Sequence, residues 1–122
     1  MSKYFIILFL TYLFSFSNNV LAAQCDDAYS AADDAYSYAR RGYRSGDLDD
    51  IQRYARRAMN SADEAMSYAS DCNCDDAYSA ADDAYSYARK AYREDDFDYA
   101  ESYIKKAMNS ADDAMSYASD CN

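Results

Sequence analysis

The chain reads CDDAYSAADDAYSYAR at residues 25–40 and again, letter for letter, at residues 74–89. Each stretch begins a 49-residue unit, 25–73 and 74–122, and the two units are identical at 36 aligned positions. Alanine recurs within the stretch at alternating three- and four-residue spacing, which is the period of one face of an α-helix. The sequence therefore predicts an internally duplicated, all-α protein.

Each unit contains two apolar stripes of this kind. In the first unit they are Cys25, Ala28, Ala32, Ala35, Ala39 and Gly42, followed by Ile51, Ala55, Ala58, Ala62, Ala65, Ala69 and Cys72. The second stripe is out of phase with the first, so the helix must break between them, at Ser45-Gly46-Asp47. Gly46 can adopt the left-handed conformation that ends a helix, and Asp47 or Asp49 can cap the next one. Each unit is thus predicted to be an antiparallel αα-hairpin.

The chain has four cysteines, Cys25, Cys72, Cys74 and Cys121. An even number in a small exported chain is typical of disulfides. A zinc site is the alternative, but Cys72-Asn73-Cys74 lacks the usual ligand spacing and His is absent. Cys25 begins one stripe and Cys72 ends the other, so an antiparallel hairpin brings them together. We predict Cys25–Cys72 and Cys74–Cys121 over a strained Cys72–Cys74 link or a swap between hairpins.

Only Asn73 separates the bridged ends of the two hairpins, 23–73 and 74–122, which must therefore lie side by side. Four helices in this order can form an up-down four-helix bundle or a short helical-repeat stack, and both remain open. Each predicted bridge would contribute about 4 kcal/mol of stability in the chain-entropy model. That contribution matters because alanine side chains bury little apolar area.

A local feature resembles a known family. Gly46-Asp47-Leu48-Asp49-Asp50-Ile51, followed by Tyr54 and Ala58-Met59, resembles the turn and second helix of a tetratricopeptide repeat. The likeness covers about 15 residues of each unit, whereas the 49-residue period and the cysteines depart from that family's 34-residue repeat. The resemblance implies a protein-binding scaffold.

Residues 1–22 are typical of a secretory signal peptide. Lys3 precedes an apolar run from Tyr4 to Phe16, and Val20-Leu21-Ala22 places small residues before a cleavage site. The run is shorter than the roughly 20 residues that span a bilayer, which disfavours a membrane anchor. We expect cleavage after Ala22, with Ala23 as the runner-up, and a secreted or periplasmic protein that has no membrane contact after cleavage.

The charge is strongly acidic and unevenly distributed. The whole chain has a net charge of −10, and removal of Lys3 with the leader makes it −11. Such a surface repels nucleic acid and anionic membranes. Acids dominate the half of each hairpin near the cysteines and bases the half near the turn. This polarity makes self-association a candidate, although the protein partner is otherwise unknown.

The composition argues against an enzyme. The chain contains no His, which is the commonest general base and metal ligand. Its serines have no base beside them, and adjacent acids such as Asp33-Asp34 diverge by about 100° on a helix and cannot converge on one atom. We predict no catalytic residues, no cofactor and no dedicated metal site, leaving weak Ca²⁺ binding by the acidic rows as an alternative.

Tyrosine is unusually abundant, with 15 in the chain, of which Tyr4 and Tyr12 lie in the leader. Tyrosine supplies contact area at low entropic cost and is enriched at binding hot spots. The predicted interaction surface comprises Tyr29, Tyr36, Tyr38, Tyr43, Tyr78, Tyr85, Tyr87 and Tyr92. Within it, Tyr38 and Tyr87 are the best candidates for contacts between hairpins or with a partner.

These features predict a non-catalytic protein-interaction or structural module built of disulfide-locked helical hairpins. The alternative is an exported carrier, which would bind ions on the acidic rows or a small ligand in a groove lined by tyrosine and methionine.

Native mass spectrometry of the protein from the exported fraction tests cleavage and oxidation together. We expect a chain that begins at Ala23 and gains four hydrogens on reduction, because two disulfides open. A chain that retains residues 1–22, or one that gains no mass with reductant, would contradict the prediction. Bound mass that survives desalting would favour the carrier.

Overall fold

The computed structural model describes residues 25–121, which form four α-helices and no strand in that range. The helices are α1 (25–45), α2 (Leu48–Asp71), α3 (Asp75–Arg93) and α4 (Phe97–Asp120). The prediction of two antiparallel αα-hairpins is therefore confirmed. The expected signal peptide, residues 1–22, lies outside the described residues.

The four helices form an up-down bundle rather than a stack of hairpins. Helix α2 packs along α3 and α3 along α4, whereas α2 and α4 meet at fewer positions and lie diagonally. Helix α1 is bridged to α2, and it also approaches α4, because a Cβ atom on Gly42 would lie 3.3 Å from Cγ1 of Ile104. Each helix therefore has two neighbours, and each side of the bundle is a groove between two helices.

The core is made almost wholly of alanine. At mid-height, Ala35, Ala62, Ala84 and Ala111 form a layer with one residue from each helix. The alanines around this layer leave no space for a water molecule. The largest fully buried side chains within residues 25–121 are Ile51, Ile104 and Cys74. Small core residues let the helix backbones approach closely, so larger side chains are displaced to the edges of the bundle.

Both predicted disulfides are formed. Their Cα–Cα separations are 5.5 Å for Cys25–Cys72 and 6.0 Å for Cys74–Cys121, which fall within the normal range. Both lie at one end of the bundle, called here the disulfide end, and the two hairpin turns lie at the opposite turn end. Because the described cysteines are all bridged, the protein belongs to an oxidising compartment.

The break in the first hairpin occurs at the predicted place. Gly46 has φ +68°, and the Asp47 side chain accepts a hydrogen bond from the backbone N–H of Asp50. The second hairpin has Asp95 in place of Gly46, and no residue of its turn takes a positive φ. The chain instead leaves the helix at Glu94 in an extended conformation, and Asp96 caps α4. A missing glycine thus changes the turn without changing the hairpin.

The connection between the hairpins is a Schellman motif centred on Asn73, which sequence reasoning missed. Asn73 has φ +59° and is the one non-glycine residue in the described range with a positive φ. The N–H of Cys74 donates to the carbonyl of Ala69 at 2.9 Å, and the N–H of Asn73 donates to Ser70 at 3.2 Å. These are the two bonds that define the motif. One residue therefore ends α2 and turns the chain directly into α3.

Substitution of Asn73 tests how much its left-handed backbone conformation affects the free energy of unfolding. We expect Asn73→Ala to lower the free energy of unfolding by about 1 kcal/mol, because alanine tolerates that conformation less well than asparagine. Asn73→Gly should not lower it. The measurement is reversible urea unfolding with the disulfides intact.

Asn60→Ala is the matched control, because Asn60 is exposed within α2. It should leave stability unchanged or raise it slightly, since alanine is the better helix former. Equal losses for Asn60→Ala and Asn73→Ala would contradict the role of the linker.

The two hairpins compensate for core volume at one position. A Cβ atom on Gly42 would lie 3.2 Å from Cβ of Tyr54 and 3.3 Å from Cγ1 of Ile104, closer than ordinary contact. In the alignment of the two units, Gly42 corresponds to Ala91 and Ile104 corresponds to Ala55. The pair equivalent to Gly42 and Ile104 is therefore Ala91 and Ala55. Glycine therefore accompanies isoleucine in one half of the core, and alanine accompanies alanine in the other.

A double-mutant cycle tests this compensation. Gly42→Ala should lower stability in the natural protein because the new Cβ atom lies too close to Cβ of Tyr54 and Cγ1 of Ile104. In an Ile104→Ala background the loss should be smaller, because only the Tyr54 contact then opposes the helix propensity of about 1 kcal/mol gained on replacing glycine. Additive effects in urea unfolding would contradict the proposed contact.

Candidate interaction surface

Charged residues on the bundle are sorted by height. Just toward the disulfide end from the mid-height alanine layer, each helix exposes two adjacent carboxylates. This acidic ring comprises Asp33, Asp34, Asp63, Glu64, Asp82, Asp83, Asp112 and Asp113. The antiparallel register of the helices brings the four acidic pairs to one height along the bundle. The same register aligns the four alanines of the adjacent mid-height layer.

One heptad toward the turn end, each helix exposes two adjacent cations. This basic ring comprises Arg40, Arg41, Arg56, Arg57, Arg89, Lys90, Lys105 and Lys106. Seven residues of helix separate the two rings by about 10 Å, too far for direct ion pairs. Within residues 25–121 no basic-ring cation forms an ion pair. Arg53, which pairs with Asp50 at 2.6 Å, lies outside both rings.

Some of these cations lie over tyrosine rings in the groove between α1 and α2. The guanidinium of Arg57 is 5.9 Å from the ring centre of Tyr38 and 5.8 Å from that of Tyr54. Arg41 lies 5.9 Å from Tyr38, and Arg53 lies 5.4 Å from Tyr54. Each contact is within cation–π range. We call these five residues the first cation–tyrosine cluster.

The groove between α3 and α4 contains the equivalent arrangement. Lys90 lies 5.5 Å from the ring centre of Tyr87 and 5.9 Å from that of Tyr103, and Lys106 lies 5.7 Å from Tyr87. These four residues form the second cation–tyrosine cluster, in which Ser102 replaces Arg53. Because the two hairpins lie on opposite sides of the bundle, the clusters face away from each other.

The two best sequence candidates, Tyr38 and Tyr87, contact cations of their own hairpins, from α2 and α4 respectively. A tyrosine of the other flank contacts the second hairpin, since Nζ of Lys105 in α4 lies 5.9 Å from the ring of Tyr43 in α1. Contact of Tyr38 or Tyr87 with the other hairpin or with a partner stays a prediction.

The remaining predicted tyrosines are divided between core edge and surface. Tyr36 and Tyr85 pack against the mid-height alanine layer. The exposed members are Tyr29, Tyr78 and Tyr92. Sequence reasoning missed Tyr54 and Tyr103 as cluster members, although Arg57 follows Tyr54 by three residues on the same helix and such neighbours contact each other. It also missed Tyr99, which at 64% is the most exposed tyrosine within residues 25–121.

A groove of about 410 Å³ lies between α2 and α3 in the disulfide half of the bundle. This acidic groove is lined by Asp63, Met66, Ser67, Ser70, Asp71 and Tyr78. It therefore combines two carboxylates with an aromatic ring and a thioether. Across residues 25–121, no three carboxylates or cysteines come close enough together to hold a metal ion.

Two shallow hollows lie in the turn half, one on α1 and one on α3, with volumes of about 300 and 310 Å³. Each is lined by one serine and three cations. These basic hollows comprise Ser37, Arg40, Arg41 and Arg44 on α1, and Ser86, Arg89, Lys90 and Arg93 on α3. The two sets occupy equivalent positions in the two sequence units.

Comparisons with known proteins yield no match to a family model, to a curated protein or to a solved structure. The resemblance of residues 46–59 to a tetratricopeptide repeat therefore stays local. None of the helices in the described part of the chain is both long and apolar enough to cross a bilayer.

Proposed function

We propose that this protein is a non-catalytic interaction module of an oxidising, extracytoplasmic compartment. The observation that carries the proposal is the duplicated cation–tyrosine cluster. The same pairing of tyrosine rings with Arg or Lys appears in both hairpins at the same height. Tyrosine and arginine are among the residue types enriched at binding hot spots; tyrosine belongs to both clusters and arginine to the first.

The bundle supports this role by its rigidity. Alanine fills the core, and each hairpin is closed by a disulfide, so the grooves that hold the clusters are held in place before any partner binds. A pre-organised surface loses less conformational entropy on binding. The rings of Tyr38 and Tyr87, over which the cations lie, are themselves half-buried.

The charge of the clusters indicates the chemistry of the partner. The basic-ring cations within them are not neutralised by carboxylates of the described chain. An acidic protein segment could pair with these cations while its apolar side chains contact the tyrosine rings. Two equivalent clusters on opposite faces would allow one molecule to join two copies of such a partner.

Site-specific photo-cross-linking tests the proposal. Benzoylphenylalanine replaces Tyr38 in one variant and Tyr87 in another, which keeps an aromatic ring at each position. We expect both variants to form an adduct with the same protein in the exported fraction, because the clusters are equivalent. Replacement of Arg57 by serine should weaken the Tyr38 adduct, since Arg57 contacts both tyrosines of that cluster.

The control places the same photoreactive residue at Asn60 and at Asn109, which are exposed at equivalent positions of α2 and α4. Neither should form that adduct. Identical adducts from all four positions, or none from Tyr38 and Tyr87, would contradict the proposal.

The acidic groove favours a second function, that of a carrier for a small organic cation. Asp63 and Asp71 would supply negative charge, and Tyr78 a ring for cation–π contact. Bound mass in the native mass spectrum described above, lost on substitution of Asp63 and Asp71 by asparagine, would support this function.

A further inference from the structure

The groove face between α2 and α3 carries opposite charge in its two halves. Its disulfide half contains the acidic groove, with Asp63, Asp71 and Tyr78. Its turn half adjoins the basic hollow of α3, with Arg89 and Arg93. Tyrosines of α3 run along the face between these two regions, at one-heptad intervals: Tyr78, Tyr85 and Tyr92.

These charges are not balanced within one molecule. The disulfide half of the bundle, which includes the acidic ring, contains no Lys or Arg. The basic ring lies about 10 Å away along the helices, a distance comparable to the Debye length of roughly 8 Å at physiological salt. Salt therefore screens much of their mutual attraction. Direct contact between the opposite charges requires a second molecule.

We propose that a second copy of this chain docks on the face between α2 and α3 in the antiparallel direction. A two-fold axis that lies in the contact plane, perpendicular to the bundle, then places the basic turn half of each face against the acidic disulfide half of the other. The two features match in length, because Ser86 to Arg93 spans about 10 Å of helix and Asp63 to Asp71 about 12 Å. The contact is self-complementary, as a two-fold interface must be.

The axis of this contact falls at the mid-height alanine layer. The acidic groove lies on one side of the level of Ala84 and the basic hollow on the other, at similar distances along α3. Tyr85, the residue next to Ala84, is therefore near the axis and would meet its counterpart in the second copy. An aromatic centre flanked by paired charges is the usual arrangement of a specific protein interface.

The opposite face of the bundle, between α4 and α1, has the same composition. Asp112, Asp120 and Tyr29 are the sequence equivalents of the groove residues, and Arg40 and Arg44 line the basic hollow of α1. Each molecule thus has two self-complementary faces on opposite sides. Repetition of the contact on both faces joins bundles side by side into a row rather than a closed dimer.

The basic hollows share Lys90 and Arg41 with the cation–tyrosine clusters. The homophilic contact is therefore tested through Arg89, Arg93, Arg40 and Arg44, which belong to the hollows and to neither cluster. Failure of the cross-linking experiment at Tyr38 and Tyr87 would leave it unaffected. Failure of the association experiment below would likewise leave the clusters available to another partner.

Sedimentation equilibrium of the mature, oxidised protein at 50 and 500 mM NaCl tests the inference. At low salt we expect species larger than a dimer, because both faces are available. At high salt the association constant should fall at least tenfold, because the contact depends on charge.

Charge-reversal variants distinguish the two faces. Arg89→Glu combined with Arg93→Glu disables the face between α2 and α3, so assembly should stop at the dimer. Addition of Arg40→Glu and Arg44→Glu disables the second face and should leave only monomers. A 1:1 mixture of this quadruple variant with a second quadruple variant should restore association. The second variant contains Asp63→Lys, Asp71→Lys, Asp112→Lys and Asp120→Lys.

Arg53→Glu combined with Lys106→Glu is the matched control, because it makes the same change in net charge within the cation–tyrosine clusters. It should associate as the natural protein does. All variants alter exposed side chains, and circular dichroism checks that each remains folded. A natural protein that is monomeric at 50 mM NaCl overturns the inference, as does equal loss of association in the control and in the Arg89→Glu, Arg93→Glu variant.

Discussion

Close approach of alanine-faced helices is the constraint on which the rest of this structure depends. Each helix presents small side chains to its neighbours, and the mid-height layer consists of four alanines. Small residues let the helices pack closely, but they remove little apolar area from water. The same choice displaces tyrosine, methionine and charged side chains to the grooves and corners. The composition of the surface is therefore a consequence of the composition of the core.

Because an alanine core buries little apolar area, the fold also depends on stabilising interactions other than the hydrophobic effect. Each disulfide closes a hairpin, and in the chain-entropy model a loop of this length contributes about 4 kcal/mol. The Schellman motif at Asn73 lets one residue connect the hairpins, so that Cys72 and Cys74 enter different bridges at one end of the bundle. The turn end is joined differently, where Gln52 of α2 donates a hydrogen bond to the carbonyl of Glu94 at 2.8 Å.

Duplication gives the surface its functional character. Because α1 corresponds to α3 and α2 to α4, every groove on one side of the bundle has an equivalent on the other. Two opposite sides hold the cation–tyrosine clusters, and the other two combine acidic and basic regions. A module with paired surfaces can connect molecules rather than only bind one. The residues that differ between the two units lie mostly between Arg41 and Arg57 and at the equivalent positions of the second unit. Sequence divergence is therefore concentrated in the turn half of the bundle, which contains the basic ring and the clusters.

Much of the fold could be predicted because its signals are local. Alanine spacing identifies the helices, the change of phase requires a break near Gly46, and Cys25 and Cys72 fall at the ends of matching stripes. The site was only partly predictable. Tyr38 and Tyr87 could be identified as tyrosines on a distinct flank, but their partners Arg57 and Lys106 lie on other helices, so their contacts depend on register and on the order of helices around the bundle.

The sequence by itself determined the helices, the hairpins and the disulfide pairing, since each follows from periodicity and from the ends of the stripes along the chain. The choice between bundle and stack was decided only by tertiary structure, because both satisfy the same stripes and the same one-residue linker. Tertiary structure also decided that glycine at position 42 accommodates Ile104, and that acids and bases form rings at separate heights. These features arise where residues distant in sequence share one level of the bundle, and that level is set by helix packing.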